Sequence, residues 1–257
     1  MSVLKKICYF LGLPLLLIVL WWLFTVDSDS FWVPRPAELV ETFVKVWIGP
    51  RFVVDVLPSL LRLLVGLLVA TVLGVGLGFG IGSSRILRRT SEPVLELFRA
   101  IPPPVLVPIL ILLVGVNDGM KVLVIVSGSV WPILLNTIEG VRSIDEVLDE
   151  TAKVYGIHGR WRIIALTLPA ASPFFMAGIR QALSIGLILM VISEMFASSS
   201  GLGFTIVSFQ RSFAVPEMWT GIVLLGVMGV LLAALFSAVE KRVLRWYYGL
   251  KEVEHSE

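Results

Sequence analysis

The residues best suited to act lie in one polar stretch, Val141 to Leu168, closed by Pro169. It holds four acids (Asp145, Glu146, Asp149, Glu150) and four bases (Arg142, Lys153, Arg160, Arg162) between long oily runs. Other constellations are poorer. Ser193 beside Glu194 suggests a nucleophile and a base, but no histidine lies in any apolar run, and neither H-E-x-x-H nor G-x-S-x-G occurs. The glycines from Gly66 to Gly82 lack the G-x-G-x-x-G spacing that cradles a phosphate, and no strand precedes them. Gly74, Gly78 and Gly82, four apart, line one face of a helix and predict close helix packing. No G-x-x-x-x-G-K-[ST] is present, so the chain carries no ATP-binding loop of that kind. His158 and His255 are too few and badly placed for a metal site, and the single Cys8 excludes an intrachain disulfide.

A second group of candidates sits inside the apolar runs, where charge is costly and faces protein or water. Arg62, Arg99, Arg180 and Glu194 belong to it. Arg62 and Arg99 lie near run ends and are expected to snorkel to the interface. Arg180, with Gln181 and Ser184, either faces a pathway or pairs with an acid inside the fold. Glu194 either lines an outer gate or bonds the backbone of the loop after it, and the second role is favoured. Ser127, Ser129, Asn136 and Ser184 are candidate pathway linings, or else glue between helices.

Those residues must be positioned by membrane helices. The chain has 257 residues, 57% hydrophobic, with a net charge of +2 and a mean hydropathy of +0.93. That is more apolar than an ordinary soluble domain, and the charge is too small to point to nucleic acid. The predicted fold class is an all-α membrane protein, one transmembrane domain over 1–257, with spans at about 7–25, 57–83, 94–116, 120–140, 169–197 and 218–239. Each approaches or exceeds the ~20 residues a bilayer core requires. The first run ends in Trp21, Trp22, Leu23 and Phe24 with no small-residue cleavage site, so it reads as a retained span. Asp27 to Pro36 is an external loop, Ala37 to Ile48 an interfacial helix, Ser83 to Glu92 a basic loop, and Ser198 to Glu217 a loop with a half-apolar segment. Pro102, Pro103, Pro104 and Pro108 break the third span. With both termini cytoplasmic, thirteen lysines and arginines fall inside and five outside. The positive-inside rule therefore places both ends and the 141–168 stretch in the cytoplasm.

Within that stretch Ile144, Val147, Leu148, Ala152 and Tyr155 recur at helical spacing. Two short helices joined at Gly156 are expected, with Gly156 and Gly159 serving as a C-cap and a turn. A short amphipathic helix between two spans must dock, either on the lipid surface or on a partner.

Glu150-Thr151-Ala152, then Gly156, then Leu168-Pro169 resembles the E-A-A…G…P loop of permease subunits of binding-protein-dependent ABC importers. Gly156-Ile-His-Gly-Arg-Trp-Arg is similar to the G-A-S-x-W-x run of that family. Phe31-Trp-Val-Pro-Arg-Pro, Phe98-Arg-Ala-Ile-Pro-Pro, Ser193-Glu-Met and Gly201-Leu-Gly resemble the branch for nitrate, sulfonates, taurine and related small solutes. Thr151 departs from the usual second Ala, and Ile157-His158 from the usual Ala-Ser.

The resemblance implies a type I importer permease with six transmembrane helices and a cytoplasmic coupling helix. Glu150, Thr151, Ala152, Gly156, Arg160 and Pro169 are then its ATPase-coupling residues. Small Ala152 would allow close backbone approach, Glu150 would pair with a base of the partner or cap amides, and Gly156 would permit the turn. The implied partners are ABC ATPase subunits inside, a second permease copy or paralogue, a solute-binding protein outside, and the lipid of a bacterial inner membrane. ATP and Mg would belong to the ATPase, leaving this chain without a cofactor and without enzymatic activity. Small heterocycles such as pyrimidine precursors or riboflavin are also among the solutes implied. The alternative is an ion-coupled carrier, which would need two related halves around a midplane site; no internal repeat is visible.

Overall fold

The computed structural model describes residues 3–26, 30–196 and 198–254, with side chains for 12–26, 30–196 and 198–249. Asp27 at the start of the expected external loop, Ala197 at the end of the fifth expected span, and His255 lie outside the described residues, as do the side chains of Lys5, Lys6, Cys8 and Lys251. Every regular element among the described residues is helical. In order these are α1 (Val3–Thr25), α2 (Pro36–Trp47), α3 (Leu57–Gly82), α4 (Arg85–Ala100), α5 (Leu106–Val114), α6 (Asp118–Arg142), α7 (Glu146–Val154), α8 (Gly159–Arg162), α9 (Leu168–Phe196), α10 (Leu202–Arg211), α11 (Val215–Val243) and α12 (Arg245–Glu254).

Four runs are long and apolar enough to cross a bilayer: Phe52–Gly82, Asp118–Arg142, Gly159–Phe196 and Val215–Val243. A fifth is the pair Arg85–Ala100 and Pro103–Val114, bent by 72°. α1, 23 residues long, is the sixth apolar helix.

The third expected span, 94–116, is corrected. Its first residues belong to α4, which begins at Arg85 in what the sequence reads as a basic loop. Ser84 caps it, its hydroxyl accepting from the Leu87 N–H at 3.3 Å. α4 is amphipathic, with arginines on one side and exposed Ile86, Leu87, Leu97 and Phe98 on the other. Its charges conceal a helix from any search for unbroken oily runs. Ile101, before Pro102, is extended (φ −76°, ψ 118°), and there the run breaks. α5, at nine residues, is about 14 Å long and cannot span a bilayer core of ~30 Å alone.

The fifth span is also longer than 169–197, because helix runs on from Gly159. Residues Ile163–Thr167 form a π-helical turn, in which the Leu168 N–H reaches back to the Ile163 carbonyl. Phe52–Val56 repeats the device before α3, with the Leu57 N–H reaching the Phe52 carbonyl. Both π turns precede a Leu-Pro pair, Leu57-Pro58 and Leu168-Pro169. A proline ring collides with the carbonyl four residues back in a regular helix; the wider turn relieves that collision without breaking the run.

The chain forms two compact units, Met1–Pro58 with Ser200–Val227, and Ser59–Ser199 with Met228–Glu257. The first is knit by aromatic side chains with polar tips. Buried Trp47 donates to the Thr220 hydroxyl at 2.9 Å and meets Phe209 edge-on. The Trp219 indole donates to the Trp32 carbonyl at 3.0 Å. The expected loop Ser198–Glu217 contains α10, and the buried Asp55 carboxylate accepts from the Gly201 N–H at its start, at 3.1 Å. α10 closes on Phe213, which takes the left-handed conformation (φ 57°) usually left to glycine. The bonds from Ala214 N–H to Phe209 and from Phe213 N–H to Gln210 satisfy the helix end.

The second unit is organised on α6, half of whose residues are buried. The glycine face of α3 lies against it. A Cβ on Gly66, Gly74, Gly78 or Gly82 would come within 2.6 to 2.9 Å of Ile125, Ile133, Thr137 or Val141 respectively. Gly76 and Gly80, off that face, meet nothing. α9 packs equally close: a Cβ on Gly178 would lie 2.7 Å from the Pro132 carbonyl. Close backbone approach is how helices bind one another where lipid removes the hydrophobic drive.

Candidate functional site

The elbow between α6 and α9 is built from local rules. Asp145 caps α7, accepting from the Val147 N–H at 2.8 Å and the Leu148 N–H at 3.3 Å. Gly156 (φ 68°) ends it, with Ile157 N–H bonded to Ala152 O at 2.8 Å and Gly156 N–H to Lys153 O at 3.1 Å. The chain then turns at Gly159 (φ 56°) into α8 and, through the π turn, into α9. The two short helices therefore meet at Gly156 as the sequence predicts, but the second is the first turn of a 38-residue run. Asp149 fastens the halves: it pairs with Lys153 at 2.9 Å and with Arg162 across the turn. The hydrogen bond from Lys153, with Arg162 beside it, holds the Asp149 carboxyl below the usual aspartate range.

Glu150, Thr151 and Arg160 are exposed on this elbow. The Thr151 hydroxyl bonds back to Val147 O at 2.6 Å. Arg160 lies over the Trp161 ring at 5.4 Å. Val147 (69% exposed), Val154 (85%), Tyr155 (78%) and Trp161 (61%) are also outward. Four large apolar side chains on α7, the turn after it and α8 are thus left outside the fold. Ala152 departs from its expected place: at 5% exposure it faces inward. Its small size serves contact within the chain. Pro169 is half-buried at the exit of the π turn.

The intramembrane charges cluster where α3, α6 and α9 meet. Arg62 is buried, not snorkelling. Its Nη1 donates to Glu194 at 2.6 Å, and its Nε donates to Asp118 at 2.9 Å. Ser59 donates to both Glu194 oxygens, at 2.7 and 2.9 Å, and Lys121 stands 3.3 Å from Asp118. Glu194 is fully buried and accepts from Ser59 and Arg62 of α3, while Asp55 takes the loop backbone at Gly201. The sequence hides this cluster because its partners lie 56 and 132 residues apart. A charge inside an apolar run, read as snorkelling, was the one signal of it in the sequence.

Ser129 is likewise buried, donating to Ala182 O at 3.3 Å between α6 and α9. Ser127 and Asn136 are half-buried and turn back to Val124 O (2.7 Å) and Pro132 O (2.7 Å). Arg180 pairs with Glu240 of α11, and Arg99 with Glu96 at 2.6 Å. Ser184 and Gln181 are exposed on α9. Of the candidate linings, Ser184, Ser127, Asn136 and Arg180 retain open surface; Ser129 and Glu194 do not.

Residues 70–246 match the family described as binding-protein-dependent transport system inner membrane component. A putative aliphatic sulfonates transport permease protein of Escherichia coli, SsuC, is 31% identical over 93% of this chain and 93% of its own. The taurine transport system permease protein TauC of the same organism is 26% identical over 95% and 91%. A chain of the MetNI methionine ABC transporter in an inward-facing conformation shares the fold, with a TM-score of 0.61 and 21% identity over 74% of this chain and 93% of that one. These relatives are permease subunits, and ATP hydrolysis lies in a separate subunit. With a buried helical core, a bent third span and an exposed elbow in place, the chain belongs to the family of inner-membrane permease components of binding-protein-dependent ABC transport systems.

Proposed function

We propose that this chain forms, with a second copy or a paralogue, the pathway for a small organic sulfonate delivered by an external binding protein. ATP and Mg bind the separate ATPase, and this chain takes no cofactor. The elbow 146–162 is the seat of that ATPase and lies in the cytoplasm, with both termini on the same side. One observation carries the reading: α7 presents Val147, Glu150, Val154 and Tyr155 outward, and Asp149 ties it through Arg162 to the 38-residue helical run that begins at Gly159. A force applied to α7 reaches the long helix through the short turn at Gly156 and Gly159 and the Asp149–Arg162 ion pair that braces it. ATP binding then draws paired elbows together and opens the spans outward; hydrolysis returns them. The substrate class is supported by the sulfonate and taurine permeases among the relatives. An ion-coupled carrier would leave the elbow without a role.

The test is reconstitution with the ATPase and binding protein in vesicles. Gly156→Pro removes the N–H donated to Lys153 O and demands φ near −65° where the chain has 68°. Glu150→Arg reverses an exposed charge. Both variants are expected to insert normally yet hydrolyse ATP without driving uptake. Wild-type uptake is expected for taurine or another short sulfonate in preference to nitrate or a pyrimidine precursor. Undiminished coupled uptake in both variants would remove the elbow from the mechanism.

A further inference from the structure

Beside the elbow, within the second unit, lies a cavity of about 690 Å³. Its wall carries Arg85 and Arg88 from the start of α4, Arg142 from the end of α6, and Arg162 from α8, against two carboxylates, Glu146 and Asp149. Asp149 is committed to Lys153 and Arg162, and Arg142 is paired with Glu139 at 3.0 Å. Among the described residues no carboxylate pairs with Arg85 or Arg88. The two guanidiniums project from the first turn of a 16-residue helix, whose N-terminal amides add to the positive field. Two uncompensated guanidiniums at a helix start, inside a concave wall, form an anion site with the fork geometry that suits phosphate oxygens.

The surroundings narrow the ligand. Ile86 (77% exposed) and Leu87 (51%) lie between the two arginines along α4, and exposed Ile163 lines the cavity beside Arg162. The cavity also opens where two bilayer-length helices end, at Gly82 and Arg142. A cationic pocket at span ends, with oily side chains beside it, matches a headgroup with acyl chains attached.

We propose that this cavity binds a phosphate-bearing anion through Arg85 and Arg88, and that an acidic phospholipid headgroup supplies it. The lipid as source rests on the reading that the elbow lies at the inner face of the membrane; the anion chemistry does not. Bound there, the headgroup sits between α4 and the elbow and neutralises the free arginines. Glu146, the remaining unpaired acid of the wall, opposes it.

The full-length chain, purified in detergent, is titrated with phosphatidylglycerol or phosphatidylcholine in mixed micelles, and separately with inorganic phosphate, with binding read by native mass spectrometry. Phosphatidylglycerol is expected to be retained over phosphatidylcholine. The double variant Arg85→Gln with Arg88→Gln should weaken that binding by about tenfold or more, and Glu146→Gln should strengthen it. The pair Arg85→Lys with Arg88→Lys should keep most of the binding, which separates loss of charge from misfolding. Loss of inorganic phosphate binding in the glutamine variant, with no preference between the lipids, would support the site and assign it to a free phosphate. Unchanged binding of both probes overturns the proposal. So does unchanged binding accompanied by lost ATPase association, which would make the arginines a protein-docking surface. Glu150→Arg leaves the titration unaltered, so a failure of the coupling reading and a failure of this site give different results.

Discussion

At the scale of single residues, the ion pair of Arg62 with Glu194 constrains the second unit from inside. Both side chains are almost fully out of contact with solvent, and each has more than one partner. Removing one member of a buried pair strands the other's charge, which typically costs about 3–5 kcal/mol, whereas replacing both by apolar groups is often close to neutral. The cluster is asymmetric. Arg62 keeps Asp118 when Glu194 is neutralised, but Glu194 loses its guanidinium when Arg62 goes, with the Ser59 hydroxyl still donating to it. Arg62→Leu should therefore lower the thermal midpoint in detergent more than Glu194→Gln does. The double variant Arg62→Leu with Glu194→Leu should recover part of the loss. Equal effects from the two single variants would show that Asp118 offers no compensation.

At the scale of elements, what was legible in the sequence was whatever depends on neighbours along the chain. The four-residue spacing of Gly74, Gly78 and Gly82 predicted a packed face, and the Gly156 turn was predicted from its local pattern; both are present. Gly66 extends that face, two turns before Gly74. What stayed hidden depends on distant partners or on backbone detail. α4 was masked by its own charges, the π turns by the regularity of the apolar run around them, and the Arg62 cluster by separation in sequence. The inward position of Ala152 was hidden because the residue pattern of a docking helix does not say which side is already occupied. The glycine face gives a contrast within one helix. A Cβ at Gly78 would stand 2.6 Å from the Thr137 Cβ, while one at Gly80 meets nothing. Gly78→Val should force α3 away from α6 and abolish a monodisperse, cooperatively unfolding preparation. Gly80→Val, two residues on and equally apolar, should unfold within a degree or two of wild type. If the two behave alike, intrinsic helix propensity and not contact governs this segment.

At the scale of the whole molecule, the distribution of charge decides which way the chain is threaded, and the threading decides whether the elbow can meet an energy source. In the threading proposed above, six crossings put both termini on one side. The expected inside segments then hold thirteen lysines and arginines, from Lys5 and Lys6 through Arg85, Arg88, Arg89 and the elbow to the C-terminal end, against five for the opposite side. The rule that retains lysine and arginine in the cytoplasm counts short loops such as these. ATP is available only on that side, so an inverted chain would present Val154 and Tyr155 where no ATPase exists. The arrangement is testable without any partner subunit. In a background with Cys8→Ser, Thr151→Cys on α7 should be labelled by a membrane-impermeant maleimide only when inside-out vesicles are used. Arg211→Cys, at the end of α10, should be labelled only in intact spheroplasts. Both positions are exposed, so failure to label from one side reports the barrier and not burial. Labelling of Thr151→Cys in spheroplasts would place the elbow outside and leave its outward apolar face without the motor it is proposed to serve.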